Sequence, residues 1–172
     1  MHPLDKAISL RAEGKGSYLA HTSAAYANMV GPFGGVTSAM LLNAVLRHED
    51  LLGEPIALTV NYAAPIGDGE IVVEAQPVRT NRSTQHWLMQ ATQNGELVSF
   101  ATAVTAVRRE TWSATEAVPP QDVPAPETLA RMDTTEKPVW TQCYDMRYLD
   151  GEMPGMEAGT ERDDSYSCLW VR

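Results

Sequence analysis

An α+β fold, one antiparallel sheet wrapped around a single central helix, follows from three features of this 172-residue sequence. Gly34-Gly35 opens a helical segment, from about Gly35 to His48. Its Val36, Ala39, Met40, Leu41, Leu42, Val45 and Leu46 cover nearly the whole circumference, as in a helix enclosed by other elements. Four strand-like segments, each of roughly ten residues, follow with period-two alternation. Asn94-Gly95 separates the last two, and both residues tolerate the positive φ of a two-residue hairpin turn. One enclosed helix followed by long antiparallel strands is the hot-dog arrangement.

Each element has its own signal. Lys6–Ala12 and Ser17–Thr22 read as two short strands separated by Glu13-Gly14-Lys15-Gly16, and Ala24–Met29 as irregular or a brief helical turn. Arg47 and His48 suit the negative end of the helix dipole. After Gly53 and Pro55, the bulky Ile56, Leu58, Val60 and Tyr62 alternate with Ala57, Thr59, Asn61 and Ala63. Pro65 stops that strand and Gly67-Asp68-Gly69 turns the chain. Glu70–Arg79, Arg82–Gln93 and Glu96–Val107 are the next strands, with Pro77 marking an edge or a bulge.

From Thr111 to Pro138 the chain turns rich in Pro, Ala and acidic residues, with at most a short helix near Glu127–Met132. Trp140–Leu149 and Ser165–Arg172 are again strand-like, divided by the loop Asp150–Asp164. Residues 1–110 are therefore expected to form a complete N-terminal hot dog and 111–138 a Pro-rich acidic linker. Residues 139–172 read as the opening strands of an incomplete second hot dog, because ending inside an apolar strand leaves an edge open to mispairing. Those strands can instead pair with the first sheet or with a partner chain.

Apolar content of 44% and charged content of 20% belong to a globular protein. No apolar run approaches the roughly 18 residues of a membrane span. Met1-His2-Pro3-Leu4-Asp5 lacks the layout of a signal peptide, so a cytoplasmic location is expected. Cys143 and Cys168 lack metal-ligand spacing; they could pair, but in this compartment they read as buried free thiols. The net charge of −9 argues against nucleic acid. Most of it sits in residues 111–172, with 12 acidic and 5 basic side chains, which read as solvated linker and loop.

Four segments in register resemble the acyl-CoA thioesterase II family. They are Gly31-Pro32-Phe33-Gly34-Gly35, Thr59-Val60-Asn61-Tyr62-Ala63-Ala64-Pro65, Arg79-Thr80-Asn81-Arg82-Ser83-Thr84 and Gln93-Asn94-Gly95. Tyr144-Asp145-Met146-Arg147 and Leu169-Trp170-Val171-Arg172 are similar to the first strands of the family's second hot dog. The resemblance implies a double hot dog that hydrolyses acyl-CoA to free acid and CoA without a cofactor. It also implies that a carboxylate on the second unit's helix, with Gln and Thr partners, activates water. Those positions fall beyond Arg172, so the catalytic residues are unknown and the chain alone is expected to be weak or inactive. Expected partners are acyl-CoA and the missing C-terminal half or a second hot dog, with a homo-oligomer as the usual result.

Hydrolysis of a thioester needs an activated water and donors where charge develops on oxygen. The amides of Gly34, Gly35 and Val36, next to Phe33, are candidate donors at a helix N-terminus. The plainer alternative is that the glycines let the helix pack closely. Arg82, Ser83 and Thr84 are candidate contacts for CoA phosphates or pantetheine, or simply an exposed strand start. Asn61 is a candidate water holder, Asp68 a turn residue, and His21 and His86 structural histidines. Gly-x-Ser-x-Gly, a phosphate-binding loop and a metal cluster are absent. The alternative function is a non-catalytic acyl-CoA or acyl-carrier binding module. A hot-dog dehydratase is disfavoured because His48 lies at the wrong end of the helix.

Overall fold

The computed structural model describes residues 1–118, 120–153 and 164–172. The chain divides into two units, Met1–Glu110 and Thr111–Arg172. The first unit begins with helix α1 (Pro3–Ala7), strands β1 (Arg11–Gly14) and β2 (Ser17–His21), and a 3-10 turn over Ala24–Tyr26. The short strands β3 (Ala27–Asn28) and β4 (Gly31–Pro32) pair with each other just before helix α2 (Gly34–Leu46). Four long strands follow: β5 (Glu54–Tyr62), β6 (Glu70–Thr80), β7 (Thr84–Gln93) and β8 (Glu96–Ala106). Together they make a six-stranded sheet in the order β1-β2-β6-β7-β8-β5, antiparallel at every junction. This is the expected α+β hot dog.

Alternation builds the core. Ile71, Val73 and Ala75 of β6, Trp87, Met89 and Ala91 of β7, and Ala101 and Ala103 of β8 are buried in one cluster with Met40, Leu41, Ala44 and Val45 of α2. The alanines leave the room the helix occupies, since interiors are close-packed. α2 is nonetheless not enclosed all round. Gly35 and Leu46 are exposed and Ser38, Ala39 and Leu42 half-buried, because one sheet covers only one side of a helix.

Polar groups on the inner face are paired. Trp87 Nε1 donates to Thr105 Oγ1 at 3.1 Å. Gln85, 1% exposed, accepts the Leu52 N–H at 2.8 Å and donates to the Asp50 carbonyl at 2.9 Å and Thr80 Oγ1 at 2.8 Å. At the other end of β7, Gln93 accepts the Gly67 N–H at 2.8 Å and donates to the Gly67 carbonyl at 3.0 Å. Two glutamines thus hold the loops that enter β5 and β6.

Three boundaries depart from the sequence reading. Lys6–Ala12 is not a strand: α1 ends at Ala7 and β1 begins at Arg11. Pro3 in the first turn and His2, whose Nδ1 accepts the Leu4 N–H at 3.2 Å, start the helix. Arg82 and Ser83 lie in the β6–β7 turn, and only Thr84 is in the strand. Trp140–Leu149 splits into a 3-10 segment, Val139–Cys143, and a shorter strand. Other expectations hold. Pro77 lies beyond the last β2 partner of β6, the Ser17–Glu74 pair, and at a register shift against β7. Asn94 and Gly95 have φ of 52° and 82°.

Arg47 is the C-cap residue of α2, as expected from its place at the helix end, whereas His48 is not an exposed capping group. Arg47 Nη1 also donates to the Leu10 carbonyl at 2.6 Å, and His48 is buried. Asn43 Nδ2, a turn earlier, donates to the Ile8 carbonyl at 2.7 Å, so α2 anchors the segment between α1 and β1.

In the second unit, β9 (Met146–Asp150) pairs antiparallel with β10 (Cys168–Val171). The proline-rich stretch is stitched to β9 rather than free. Arg147 grips Asp145 through two bonds of 3.0 and 3.1 Å. Its Nη1 also donates to the carbonyls of Pro126 and Leu129 at 3.0 and 2.9 Å. The expected short helix near Glu127–Met132 is a 3-10 turn over Pro126–Thr128. Most of the loop Asp150–Asp164 lies outside the described residues. Cys143 and Cys168 are half-buried and not joined in a disulfide. Among the described residues, no helix is long and apolar enough to cross a membrane.

Candidate functional site at the start of the central helix

The chain reaches α2 through a tight entry. The Phe33 N–H donates to the Tyr26 carbonyl at 2.8 Å, and Tyr26 is 1% exposed. Phe33 is the N-cap and contributes no side-chain cap bond. Its carbonyl accepts the N–H groups of Val36 and Thr37 at 3.0 and 3.4 Å. Val36 is therefore already engaged. The amides of Gly34 and Gly35 donate to no protein acceptor among the described residues.

Each glycine has a separate steric cause. A Cβ on Gly34 would lie 3.0 Å from the Tyr62 hydroxyl, and one on Gly35 would lie 2.4 Å from the Phe33 ring. Tyr62 reaches from β5 and donates to the Gly34 carbonyl at 2.7 Å, with Ser38 Oγ 2.6 Å from the same hydroxyl. One strand side chain thus fixes the first peptide of the helix. Because C=O and N–H point oppositely across a trans peptide, holding the Gly34 carbonyl aims the Gly35 N–H away from Tyr62. Close packing and amide exposure therefore coexist at the same two residues.

A pocket of about 300 Å³ lies beside this entry, lined by Thr22, Ser23, Asn28, Gly31, Gly67 and Asp68 among others. The Asp68 carboxylate accepts from the Thr22 hydroxyl, whose oxygen in turn accepts the Gly69 N–H at 2.8 Å. That is the expected turn role with an added clasp. The first turn of α2 contains no acidic residue.

The other candidates lie elsewhere. Thr84 pairs with Ala106, and Ala106 with Glu54. Tyr62 pairs with Ser99, and Ser99 with Ala91. Seven residues of β7 therefore separate the two levels, roughly 23 Å at a strand's rise. Within this unit Arg82, Ser83 and Thr84 are not brought to Phe33, Gly34, Gly35 and Val36. Arg82 is exposed, while Ser83 and Thr84 secure the turn through the Val107 N–H to Ser83 carbonyl bond of 3.0 Å and the Asn81 N–H to Thr84 carbonyl bond of 2.8 Å. His86 is exposed, and His21 Nδ1 lies 2.8 Å from the Thr22 carbonyl. Asn61 is exposed, and its carbonyl accepts from Ser99 Oγ at 2.9 Å. Tyr62 and Ser38 were not separable in the sequence, since their meeting spans two elements. The alternation that placed Tyr62 with Leu58 and Val60 was the available signal.

The chain is similar to known proteins over this same region. No curated protein matches it. Among solved structures, a conserved protein of unknown function with a hot-dog fold from Alicyclobacillus acidocaldarius is 45% identical, with a TM-score of 0.90, over 100% of this chain and 62% of that one. An acyl-CoA thioesterase II from Mycobacterium marinum is 18% identical, with a TM-score of 0.72, over 98% of this chain and 59% of that one. A tesB protein from Mycobacterium avium subspecies paratuberculosis is 20% identical, with a TM-score of 0.69, over 87% and 54%. At such identities the last two show the fold alone. This chain spans less than two thirds of the length of each. The family described as acyl-CoA thioesterase N-terminal domain matches residues 23–108, from the end of β2 through β8. That match spans half of the chain and takes in the helix entry, α2 and the four long strands β5–β8, and the chain belongs to that family.

Proposed function

We propose that this chain serves the hydrolysis of acyl-CoA thioesters to free acid and CoA, as one hot dog of a side-by-side pair. The observation that carries this reading is the pair of undonated amides at Gly34 and Gly35 in a domain of the thioesterase family. They are suited to the oxygen of a thioester carbonyl as it gains charge. The attacking water needs a base, and none stands in the first turn of α2. The base is therefore assigned to the paired unit.

Pairing is supported by β5, an edge strand of the sheet with Ile56, Leu58 and Tyr62 exposed and only Glu54 charged. An edge so poorly guarded is a template for another strand. Antiparallel pairing of two such edges would set the Glu54 end of one against the Tyr62 end of the other. Arg82, Ser83 and Thr84 of one unit would then approach the glycine pair of the next, where they can meet the CoA portion. The partner is a second copy or a second hot dog. A cytoplasmic location is part of the proposal, consistent with cysteines that form no disulfide among the described residues.

The lack of an acid at the helix start favours one second reading, a binding module that holds acyl-CoA without cleaving it. Thiol release from an acyl-CoA, measured beside calorimetric binding, separates the two. The proposal expects binding with little turnover by the chain alone, and turnover once a second hot dog that carries a base is supplied. Binding that never leads to thiol release with any hot-dog partner supports the module. Robust turnover by this chain alone would sink the assignment of the base.

A further inference from the structure

The face of the six-stranded sheet turned away from α2 is short of charge. Side chains alternate about a sheet, and Trp87, Met89 and Ala91 of β7 lie in the core, so His86, Leu88 and Gln90 lie outside. Register sets their neighbours. Thr59 of β5, Thr102 of β8, Leu88 and Gln76 of β6 form one row across four strands. Asn61, Phe100, Gln90 and Glu74 form the next. On β5, β7 and β8 these two rows hold no charged side chain, in a chain whose net charge is −9. Thr59, Asn61, Phe100 and Thr102 are nonetheless exposed. One row further on, exposed Leu97 and Val72 stand on either side of Thr92. Depletion of charge around exposed apolar side chains is the compositional mark of an interface core.

The charges of this face run along β6, and their order matters. Glu70 and Glu74 lie toward its start, and Arg79, opposite His86, lies at its end; all three are exposed. Over the start is a hollow of about 410 Å³, lined by Leu19, Val72, Thr92 and the two glutamates among others. An apolar floor with two carboxylates suits a guanidinium on its aliphatic stem. Arg79 Nε donates to Asn81 Oδ1 at 3.1 Å, and its Nη groups meet no acceptor among the described residues. It stands three rows, roughly 20 Å, from the hollow of its own chain. A second copy brings the two together.

We propose that this face binds the same face of a second copy with the strands reversed, Arg79 of each copy entering the acidic hollow of the other. A two-fold axis lying between the sheets and across the strands, between the Thr102 and Phe100 rows, has this effect. It sets each strand over its own counterpart and exchanges the Arg79 level with the Val72 level. The two uncharged rows then meet at the centre, and a sheet spacing of about 10 Å is one that an extended arginine largely bridges. Four strands over four rows cover roughly 500 Å² per copy, about 1,000 Å² in total, at the threshold of a specific interface. Association through this face is therefore reversible. The surface is separate from the β5 edge and rests on no reading of the reaction.

The test is sedimentation equilibrium of the full chain and of two charge-reversed variants, alone and mixed. Arg79→Glu sets a carboxylate against the acidic hollow at both contacts of a pair. Glu70→Arg with Glu74→Arg sets a guanidinium against a basic one. Each variant alone is expected to associate at least tenfold more weakly than the native chain. In an equal mixture both contacts again join opposite charges, so the native mass should return, which also shows that both variants fold. Thr102→Lys, at an exposed position in the middle of β8, should weaken association at least tenfold with no partner to restore it, and it decides alone if a charge-reversed chain does not fold. Unchanged association in any folded variant, or no recovery in a mixture of two folded ones, would overturn the proposal.

Discussion

Gly53 shows how one residue can be irreplaceable without touching any ligand. Its φ is +73°, and a Cβ there would lie 2.2 Å from the Ala106 backbone. Gly53→Ala is expected to cost about 3 kcal/mol or more, read by denaturant unfolding, because neither strain nor clash can relax against backbone. Gln85→Leu should cost about 2 kcal/mol by the same measurement, since it strands the Leu52 N–H and the Asp50 carbonyl in a buried place. Tyr62→Phe should cost about 1 kcal/mol, because it removes the hydroxyl's bond to the Gly34 carbonyl at a residue that is 55% exposed. If the Gly35 amide contacts substrate, that variant should also weaken acyl-CoA binding. The glycine pair was legible in the sequence because two consecutive glycines before an apolar helix are unusual. Gln85 and Gln93 were not. In an alternating strand a glutamine reads as facing water, and only the loops packed beneath β7 reveal that both face inward.

At the scale of elements, long periodic segments were read well and short ones poorly. α2 and the four strands after it were placed within one or two residues, because many residues vote for each. The end of α1, Lys6 and Ala7, was read as the start of a strand because one turn of helix is decided by a proline and a cap, which outweigh weak alternation. The junction between α2 and the β1–β2 turn carries a pH dependence. The hydrogen bond from Lys15 holds the Asp50 carboxyl below its usual range, and Asp50 followed by Glu49 holds the Lys15 ammonium above its own. Asp50 thus contributes stability that is full above the unfolded carboxylate range, near about pH 4, and fades as pH falls through its lowered value. Lys15 contributes stability that is full below its unfolded value, near about 10.4, and fades as pH rises through the higher folded one. The melting-temperature difference between the native chain and Lys15→Met should therefore be greatest at intermediate pH and vanish at the acid extreme. A difference that persists at pH 2 would mean that the lysine acts through packing. In the second unit, Arg147→Ala should release the Pro126–Met132 segment from β9. Faster amide exchange at Met132, whose N–H donates to the Met146 carbonyl at 2.8 Å, would register it.

For the whole molecule, assembly follows from what the sheet leaves open. Leu58→Lys places a charge on the inner face of β5, where the residue is already 37% exposed. It should halve the mass seen in sedimentation if copies pair along β5, with little change in stability; an unchanged mass would move the interface elsewhere. The sequence marked β5 as a strand but could not mark it as an edge, because strand order depends on pairings far apart in the chain. The same order has a kinetic side. β6, β7 and β8 are successive hairpins joined by short turns, whereas β5 precedes them and pairs with the last of them. It can dock only after that meander exists, and it must close a loop that spans all three strands. The strand with the most exposed apolar edge is thus expected to be the last one seated, leaving β8 uncovered until then. Pulse-labelled amide exchange during refolding should protect β7 before β5. The interval between them would be the period in which this chain is most prone to pair with the wrong neighbour.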